Sequence, residues 1–190
     1  NDIRVSSLAR FPEVFSMEEG SVDEEGIWKV LGKALTGAAQ ALTQARIDEG
    51  ENLKKDLLVK LDGMLEHVAF IEERAPRILA EYRAGLVEKV QELLGDAQVD
   101  ESRLLTEVTV FADKVCVDEE LVRLRSHIQT TKEVLEAGGG IGRKLDFIAQ
   151  EMNREANTIL SKTSDLETSN RAIELKTEIE KVREQIQNIE

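Results

Sequence analysis

The stretch GRKLDFIAQEMNREANTILSK, residues 142–162, decides the fold class. Successive side chains of an α-helix are rotated by about 100°, and at that rotation the apolar residues of this stretch share one face. That face comprises Leu145, Ile148, Ala149, Met152, Ala156, Ile159 and Leu160. The opposite face is polar, with Asp146, Gln150, Arg154, Asn157 and Ser161. The pattern predicts a helix that packs against other helices.

The C-terminal residues continue the helical pattern after a polar joint at Ser164 and Asp165. The apolar positions that follow are spaced four, three, four and three residues apart, which is a heptad seam. They are Leu175, Ile179, Val182, Ile186 and Ile189. This spacing predicts a last helix that packs on another helix.

Upstream of residue 142, the stretch Gly138–Gly142 predicts a break between helices. Asp118 can cap a helix over 119–137, and Asp100 can cap another over 103–115. Residues 1–21 show no sustained period and predict a connector with at most a short strand or helical turn.

The segment 23–94 predicts one or two long amphipathic helices, arranged as an arm or a hairpin. Ser21 and Glu24 fit a capping box at its start, and Gly95 fits its end. Pro76 is expected to kink or restart the helix. Together these patterns predict an all-α chain in which a long helical arm or hairpin precedes a C-terminal helical bundle.

Composition agrees with helices and limits the function. The chain of 190 residues has two prolines, 4% aromatic residues and one cysteine. It contains no run of about 18 apolar residues, so we expect no membrane association and a cytoplasmic location. The formal net charge of −13 argues against a generic nucleic-acid binder. Residues 1–120 carry 14 basic and 26 acidic side chains, whereas residues 121–190 carry 11 and 12, so an anionic ligand is expected to meet the second part.

Glu151 and Glu155 form a carboxylate flank on the 142–162 helix. Like charges four residues apart repel in an isolated helix, so other interactions must offset this repulsion. Arg154 and the lysines at either end would neutralise the two carboxylates on a solvent-exposed face, and most charged helix faces are of this kind. The alternative is that the two carboxylates bind a divalent cation while Arg154, Asn153 and Asn157 contact phosphate or ribose.

Two further clusters are candidates. In DEELVRLRSH, residues 118–127, the side chains of Glu119, Glu120, Arg123 and His127 share one helix face. His127 can be a general base or a metal ligand there, or an ion-paired surface histidine. In ARIDEG, residues 45–50, Arg46 and Glu49 interrupt the arm, and a salt bridge between these two residues, three positions apart, is the commoner explanation. The sequence contains no phosphate-binding loop motif, no cysteine or histidine spacing typical of zinc sites, and no Gly-Xaa-Ser-Xaa-Gly motif of the hydrolases.

These segments together resemble the YicC family of bacterial proteins. The resemblance rests on ARIDEG (45–50), DEELVRLRSH (118–127), GRKLDFIAQEMNREANTILSK (142–162) and IELKTEIEKVREQIQNIE (173–190). It covers essentially the whole chain, but family members have roughly a further third ahead of residue 1, which is expected to add an α/β region. The implied division is a connector and tail of the family's N-terminal region at 1–55, the arm at 56–100 and a C-terminal helical domain at 101–190.

The resemblance implies an endoribonuclease that cleaves RNA with a divalent metal, Mn²⁺ or Mg²⁺, in bacterial RNA turnover, and that assembles as a homo-hexamer. Carried over by motif, the candidate functional positions are Arg46, Glu49, Glu119, Glu120, Arg123, His127, Arg143, Asp146, Gln150, Glu151, Asn153, Arg154, Glu155 and Asn157. We infer their roles: the catalytic candidates are His127, Glu151, Glu155 and Glu120, and the metal candidates are Glu151, Glu155 and His127. The RNA-binding candidates are Arg46, Arg123, Arg143, Gln150, Asn153, Arg154 and Asn157. Cys116 stands where the family usually has Asp, and this softer ligand would alter metal affinity if that position binds the ion.

Two functions from different classes therefore stay open. In the first, the protein is a metal-dependent endoribonuclease, with His127 either a metal ligand or a base on the ribose 2′-OH. In the second, it is a non-catalytic helical scaffold that binds protein partners. Convergence of Glu151, Glu155 and His127 in one cleft would favour the enzyme, and dispersal over convex surface would favour the scaffold.

Overall fold

In a computed structural model that describes residues 4–16, 20–94 and 100–189, every regular element is a helix. The elements are α1 (Val5–Leu8), α2 (Glu24–Leu94), α3 (Glu101–Val115), α4 (Asp118–Ala137), α5 (Gly142–Lys162) and α6 (Leu166–Ile186). The all-α prediction is confirmed. Among the described residues, no helix is both long and apolar enough to cross a lipid bilayer.

The long segment is one helix, so the hairpin alternative is wrong. Helix α2 has 71 residues and continues through Pro76 instead of restarting there. Proline removes one backbone donor from a helix interior, but here side chains brace the position. Arg74 donates to both carboxylate oxygens of Glu81, two turns further along and beyond the proline. Gly95, the predicted end signal, lies outside the described residues.

Two of the N-caps predicted from the sequence differ from those in the structure. Helix α2 begins at Glu24, and the carboxylate of Asp23 accepts the Gly26 backbone N–H at 2.9 Å, so the cap is Asp23 and not Ser21. Asp118 is the first residue of α4 and makes no cap, although its charge suits the positive end of the helix. The Asp100 cap of α3 is confirmed, because its side chain accepts the backbone N–H groups of Ser102 and Arg103.

The chain divides into two compact units, residues 1–47 and 48–190. The first unit holds α1 and the first turns of α2, where large apolar side chains such as Ile27, Trp28, Leu31 and Leu35 are exposed. The second unit holds the remainder of α2 with α3 to α6, and it contains the buried core.

The core of the second unit is a four-helix bundle formed by α2, α4, α5 and α6. Its buried residues on α2 are Leu57, Leu61, Met64, Val68 and Ile71, which follow heptad spacing. Both predicted stripes are buried, from Leu145 to Ile159 on α5 and from Leu175 to Ile186 on α6. The two remaining predicted positions, Leu160 and Ile189, are partly buried and pack against this core, and Ile189 lies beyond the end of α6.

Ion pairs define the order of the helices around the bundle. Lys54 of α2 contacts Glu136 of α4 at 2.7 Å, and Arg74 of α2 contacts Asp165, the residue before α6, at 2.8 Å. Helix α5 packs against both α4 and α6. Each neighbouring pair is antiparallel, so the start of α4 lies beside the end of α5.

Candidate metal site between two helices

His127 of α4 meets Glu151 and Glu155 of α5 at one point on the bundle. One ligand atom from each residue lies within 4.8 Å of the other two. The two glutamates are four residues apart and therefore share a helix face. The antiparallel packing of α4 against α5 places His127 at the same level along the helix axis. In the octahedral shell of Mg²⁺, adjacent ligands are about 3.0 Å apart and opposite ligands about 4.2 Å apart, so the three atoms must move closer together to hold an ion.

Glu155 is the buried member of this group, with 4% of its surface exposed. Its Oε1 lies 3.6 Å from Nη1 of Arg123, which is longer than a hydrogen bond, and Arg123 also donates to Glu119. A buried carboxylate is costly unless a cation and hydrogen bonds compensate it. Glu151, half-buried and one turn away, adds a like charge. The arrangement is therefore rich in negative charge and fits a divalent cation.

The donor set also fits such an ion. Two carboxylates supply the hard oxygen ligands that Mg²⁺ and Mn²⁺ prefer, and the imidazole of His127 adds a nitrogen. Because Mg²⁺ rarely uses imidazole, the mixed set suits Mn²⁺ better than Mg²⁺.

Glu120, the fourth catalytic candidate, lies outside this group. It is buried, and its Oε1 accepts a hydrogen bond from Lys162 Nζ at 2.7 Å. This hydrogen bond raises the pKa of Lys162, with burial opposing it. Glu120 is seven residues before His127 on α4, which corresponds to about 10.5 Å along the helix axis. Its second oxygen is buried without a hydrogen-bond partner among the described residues.

Arg123 and Arg154 are the predicted RNA-binding residues that border the group. Arg123 contacts Glu155, and Nη1 of Arg154 lies 3.9 Å from Glu151. Both guanidinium groups are largely exposed, at 54% and 75% of the side chain. They are therefore open to an anionic ligand that approaches the three ligand atoms.

Gln150 and Asn153 are engaged in contacts that lead away from the group. Gln150 donates to Asp146 at 2.7 Å, and Asp146 in turn pairs with Arg183 of α6. Asn153 donates to Glu180 of α6 at 2.7 Å, so its side chain faces α6 and not α4.

The remaining predicted residues are distributed more widely. Arg143 is exposed at the start of α5, and Asn157 is exposed near its end. Arg46 is exposed in the first compact unit. Cys116 is exposed directly after α3 and does not belong to the group of metal-ligating atoms.

Lys162 is the partner of Glu120 that the sequence patterns did not assign. Glu120 and Lys162 are 42 residues apart on different helices. No local spacing reports such a pair, and only the antiparallel register of α4 and α5 brings the two together.

The helices and the His–Glu–Glu group define an all-α protein with a candidate divalent-ion site. Two family models match the chain: "Endoribonuclease YicC-like, C-terminal" over residues 71–190 and "Endoribonuclease YicC-like, N-terminal region" over residues 1–55. The chain therefore belongs to the YicC-like endoribonuclease family.

Curated relatives agree with this assignment. The chain is 42% identical over 191 residues to a protein of Clostridioides difficile (strain 630) named "Probable endoribonuclease YicC". It is 35% identical over 191 residues to a protein of the same name from Haemophilus influenzae (strain ATCC 51907 / DSM 11121 / KW20 / Rd). Both matches cover 100% of this chain, but only 65% and 64% of the relatives. The chain thus spans less than two thirds of the length of these relatives.

Proposed function

We propose that the protein is a divalent-metal-dependent endoribonuclease that acts in bacterial RNA turnover, with the ion held by His127, Glu151 and Glu155. The observation that carries the proposal is the approach of these three ligand atoms to within 4.8 Å of one another. The names of the relatives, which describe probable endoribonucleases, supply the substrate class.

Each side chain at the group has a role in this proposal. A divalent ion there would supply Lewis-acidic positive charge for water activation or for stabilising the leaving oxygen. Arg123 and Arg154 border the carboxylates and are exposed, so their guanidinium groups hold the phosphodiester. Glu155 is fixed by burial in the bundle, which keeps its carboxylate in place as RNA binds and leaves.

His127 has an alternative role within the same activity. As a general base on the ribose 2′-OH, its imidazole would accept the proton and the product would carry a 2′,3′-cyclic phosphate. Metal-assisted attack by water would not leave such an end. Analysis of the product ends therefore distinguishes the two roles, since a nitrogen that ligates the ion cannot accept the proton.

Charge distribution supports a shared RNA-binding recess. The first 120 residues are strongly acidic and residues 121–190 are nearly balanced, so one isolated chain presents little positive surface to RNA. A homo-oligomer, a hexamer in this proposal, would gather Arg123 and Arg154 from several copies around one recess. The assembly would act in the cytoplasm.

The test is RNA cleavage by the protein with Mn²⁺, with Mg²⁺ and with a chelator, repeated with Glu151→Gln and Glu155→Gln. Cleavage should need the ion and should be lost in both variants while helicity by circular dichroism is retained. The control is Glu184→Gln, an exposed glutamate of α6. Cleavage retained in both site variants would reject this metal site, and no cleavage by the wild type with either metal would reject the enzyme and favour a helical scaffold.

A further inference from the structure

Phe147 is an exposed aromatic residue on a helix whose other large apolar residues are buried or partly buried. Its exposed fraction is 62%, whereas Leu145 and Ile148 on either side are 0% and 6% exposed. The ring does not belong to the hydrophobic core, and among the described residues it makes no aromatic or cation–π contact. Packing of the bundle therefore does not explain the phenylalanine.

The neighbours of Phe147 on the helix surface are all polar. Residues three and four positions away lie beside it, and these are Arg143, Lys144, Gln150 and Glu151. A protein partner that docks through apolar contact would need a larger apolar patch than one ring. A nucleobase needs only one aromatic face, and nearby guanidinium groups can hold its phosphates.

Phe147 also has a defined position relative to the candidate metal site. It precedes Glu151 by four residues and Glu155 by eight, which correspond to about 6 Å and 12 Å along the helix axis. Arg143 lies one turn on the other side of the ring. An RNA strand that follows α5 from Arg143 toward Glu155 would thus pass over Phe147 immediately before it reaches the ligand atoms.

We infer that Phe147 stacks on an unpaired base of the RNA, next to the phosphodiester held at His127, Glu151 and Glu155. The inference rests on the proposed function and extends it to the kind of RNA that binds. Bases inside an A-form duplex are already stacked on both faces, and their major groove is too narrow for side chains to read. The site therefore selects a single strand, or a loop or bulge with an exposed base, over a continuous duplex.

Fluorescence of a tryptophan at position 147 tests the stacking directly. Trp28 is the only tryptophan of the chain, so Phe147→Trp is made together with Trp28→Phe. The probes are a 12-nucleotide single-stranded RNA and the same sequence in a duplex, each added with chelator so that no cleavage occurs. The single strand should quench the fluorescence and the duplex should not. Equal quenching by both would overturn the selection of unpaired bases, and binding of the single strand without quenching would overturn the stacking.

Affinity of variants for the same single strand provides a second measurement. Phe147→Ala and Phe147→Leu should both weaken binding, by roughly 5- to 100-fold, because neither residue can stack, whereas Phe147→Tyr should bind like the wild type. The matched control is Ile173→Ala, an exposed apolar residue of α6. If Phe147→Ala leaves affinity unchanged but alters the oligomeric state in sedimentation, the ring contacts another protein chain and the inference is wrong.

The two proposals can fail separately. RNA affinity is measured in the presence of chelator and therefore without the ion. Weaker RNA binding by Phe147→Ala would support stacking even if the protein cleaves RNA with neither metal. Conversely, metal-dependent cleavage that is lost in Glu155→Gln, combined with unchanged RNA affinity in Phe147→Ala, would keep the nuclease and reject the stacking.

Discussion

Arg123 of α4 lies 3.6 Å from the buried carboxylate of Glu155 on α5. This guanidinium is the positive charge beside Glu155, whereas Arg154 lies beside Glu151. Its side chain is 54% exposed, and it also contacts Glu119. A cation bound by the carboxylates would take over the role of Arg123 and release the guanidinium for an incoming phosphate.

Replacement of Arg123 tests this exchange. Arg123→Gln should lower the free energy of unfolding of the metal-free protein by about 1 kcal/mol or less, because the pair is long and solvent-screened. The same change should strengthen Mn²⁺ binding, since a competing positive charge is removed, and should weaken RNA binding. Titration calorimetry with Mn²⁺ measures the effect. Unchanged or weaker Mn²⁺ affinity would show that Arg123 and the ion do not compete for Glu155.

Thermal unfolding detects the ion without any assay of cleavage. At an Mn²⁺ concentration of 100 times its dissociation constant, binding should stabilise the wild type by about 2.7 kcal/mol, which raises the melting temperature by roughly 5–10 °C. Glu155→Gln should abolish this shift because a carboxylate ligand is lost. It should not destabilise the metal-free protein greatly, because a like charge beside Glu151 is removed as well. A full Mn²⁺ shift in Glu155→Gln would place the ion elsewhere.

The Glu120–Lys162 pair should act as a structural clamp between α4 and α5. Lys162→Met leaves the buried Glu120 without its donor, so we expect a loss of about 1–3 kcal/mol in urea unfolding. Lys181→Met removes an exposed lysine that pairs within α6, and it should change stability by less than about 0.5 kcal/mol. Equal effects of the two changes would contradict the clamp.

The same pair gives an alkaline pH dependence. The hydrogen bond from Lys162 to Glu120 raises the lysine pKa above its usual value of 10.5. A raised pKa contributes stability that is complete below the unfolded-state pKa and is lost as pH rises through the folded-state pKa. The stability difference between wild type and Lys162→Met should therefore be constant at neutral pH and should shrink above about pH 10.5.

Much of this arrangement could be predicted from the sequence, because helical periodicity is a local signal. The α5 stripe, the α6 seam and the Asp100 cap each depend on residues within a few positions of one another. The choice of His127, Glu151 and Glu155 as metal candidates also used local spacing within two helices. Their distance from one another depended on the pairing of α4 with α5, which no local pattern specifies.

The continuity of α2 at Pro76 has a physical cause. The sequence favoured a break at Pro76 because proline removes a helix hydrogen bond, but Arg74 bridges the proline through Glu81. The sequence also could not show which neighbouring helix Asn153 faces, and its amide donates to Glu180 of α6. The first contact joins residues seven apart on one helix and the second joins residues 27 apart on two helices, and neither follows from the apolar periodicity of the sequence.

The contact between Arg74 and Asp165 should make the bundle sensitive to acid. Asp165 is the N-cap of α6, and its carboxylate accepts hydrogen bonds from the Thr168 backbone N–H at 2.9 Å and from the Arg74 guanidinium at 2.8 Å. Burial alone would raise the pKa of Asp165, but the hydrogen bonds from Thr168 and Arg74 outweigh it and hold the pKa below its usual 3.8. A lowered pKa contributes stability that is present above the unfolded-state pKa and is lost as pH falls through the folded-state pKa.

Asp165→Asn isolates this charge, because asparagine caps helices about as well as aspartate. The variant should lose about 1–3 kcal/mol at pH 7, since Arg74 then lacks one buried carboxylate while it keeps Glu81. The difference from the wild type should disappear as the pH is lowered from about 4 to about 2, because the wild-type carboxylate is then protonated. Asp100→Asn, at the exposed cap of α3, is the matched control and should change stability less at every pH. Urea unfolding at a series of pH values measures both variants, and a loss in Asp165→Asn that is independent of pH would show that the charge of Asp165 contributes nothing.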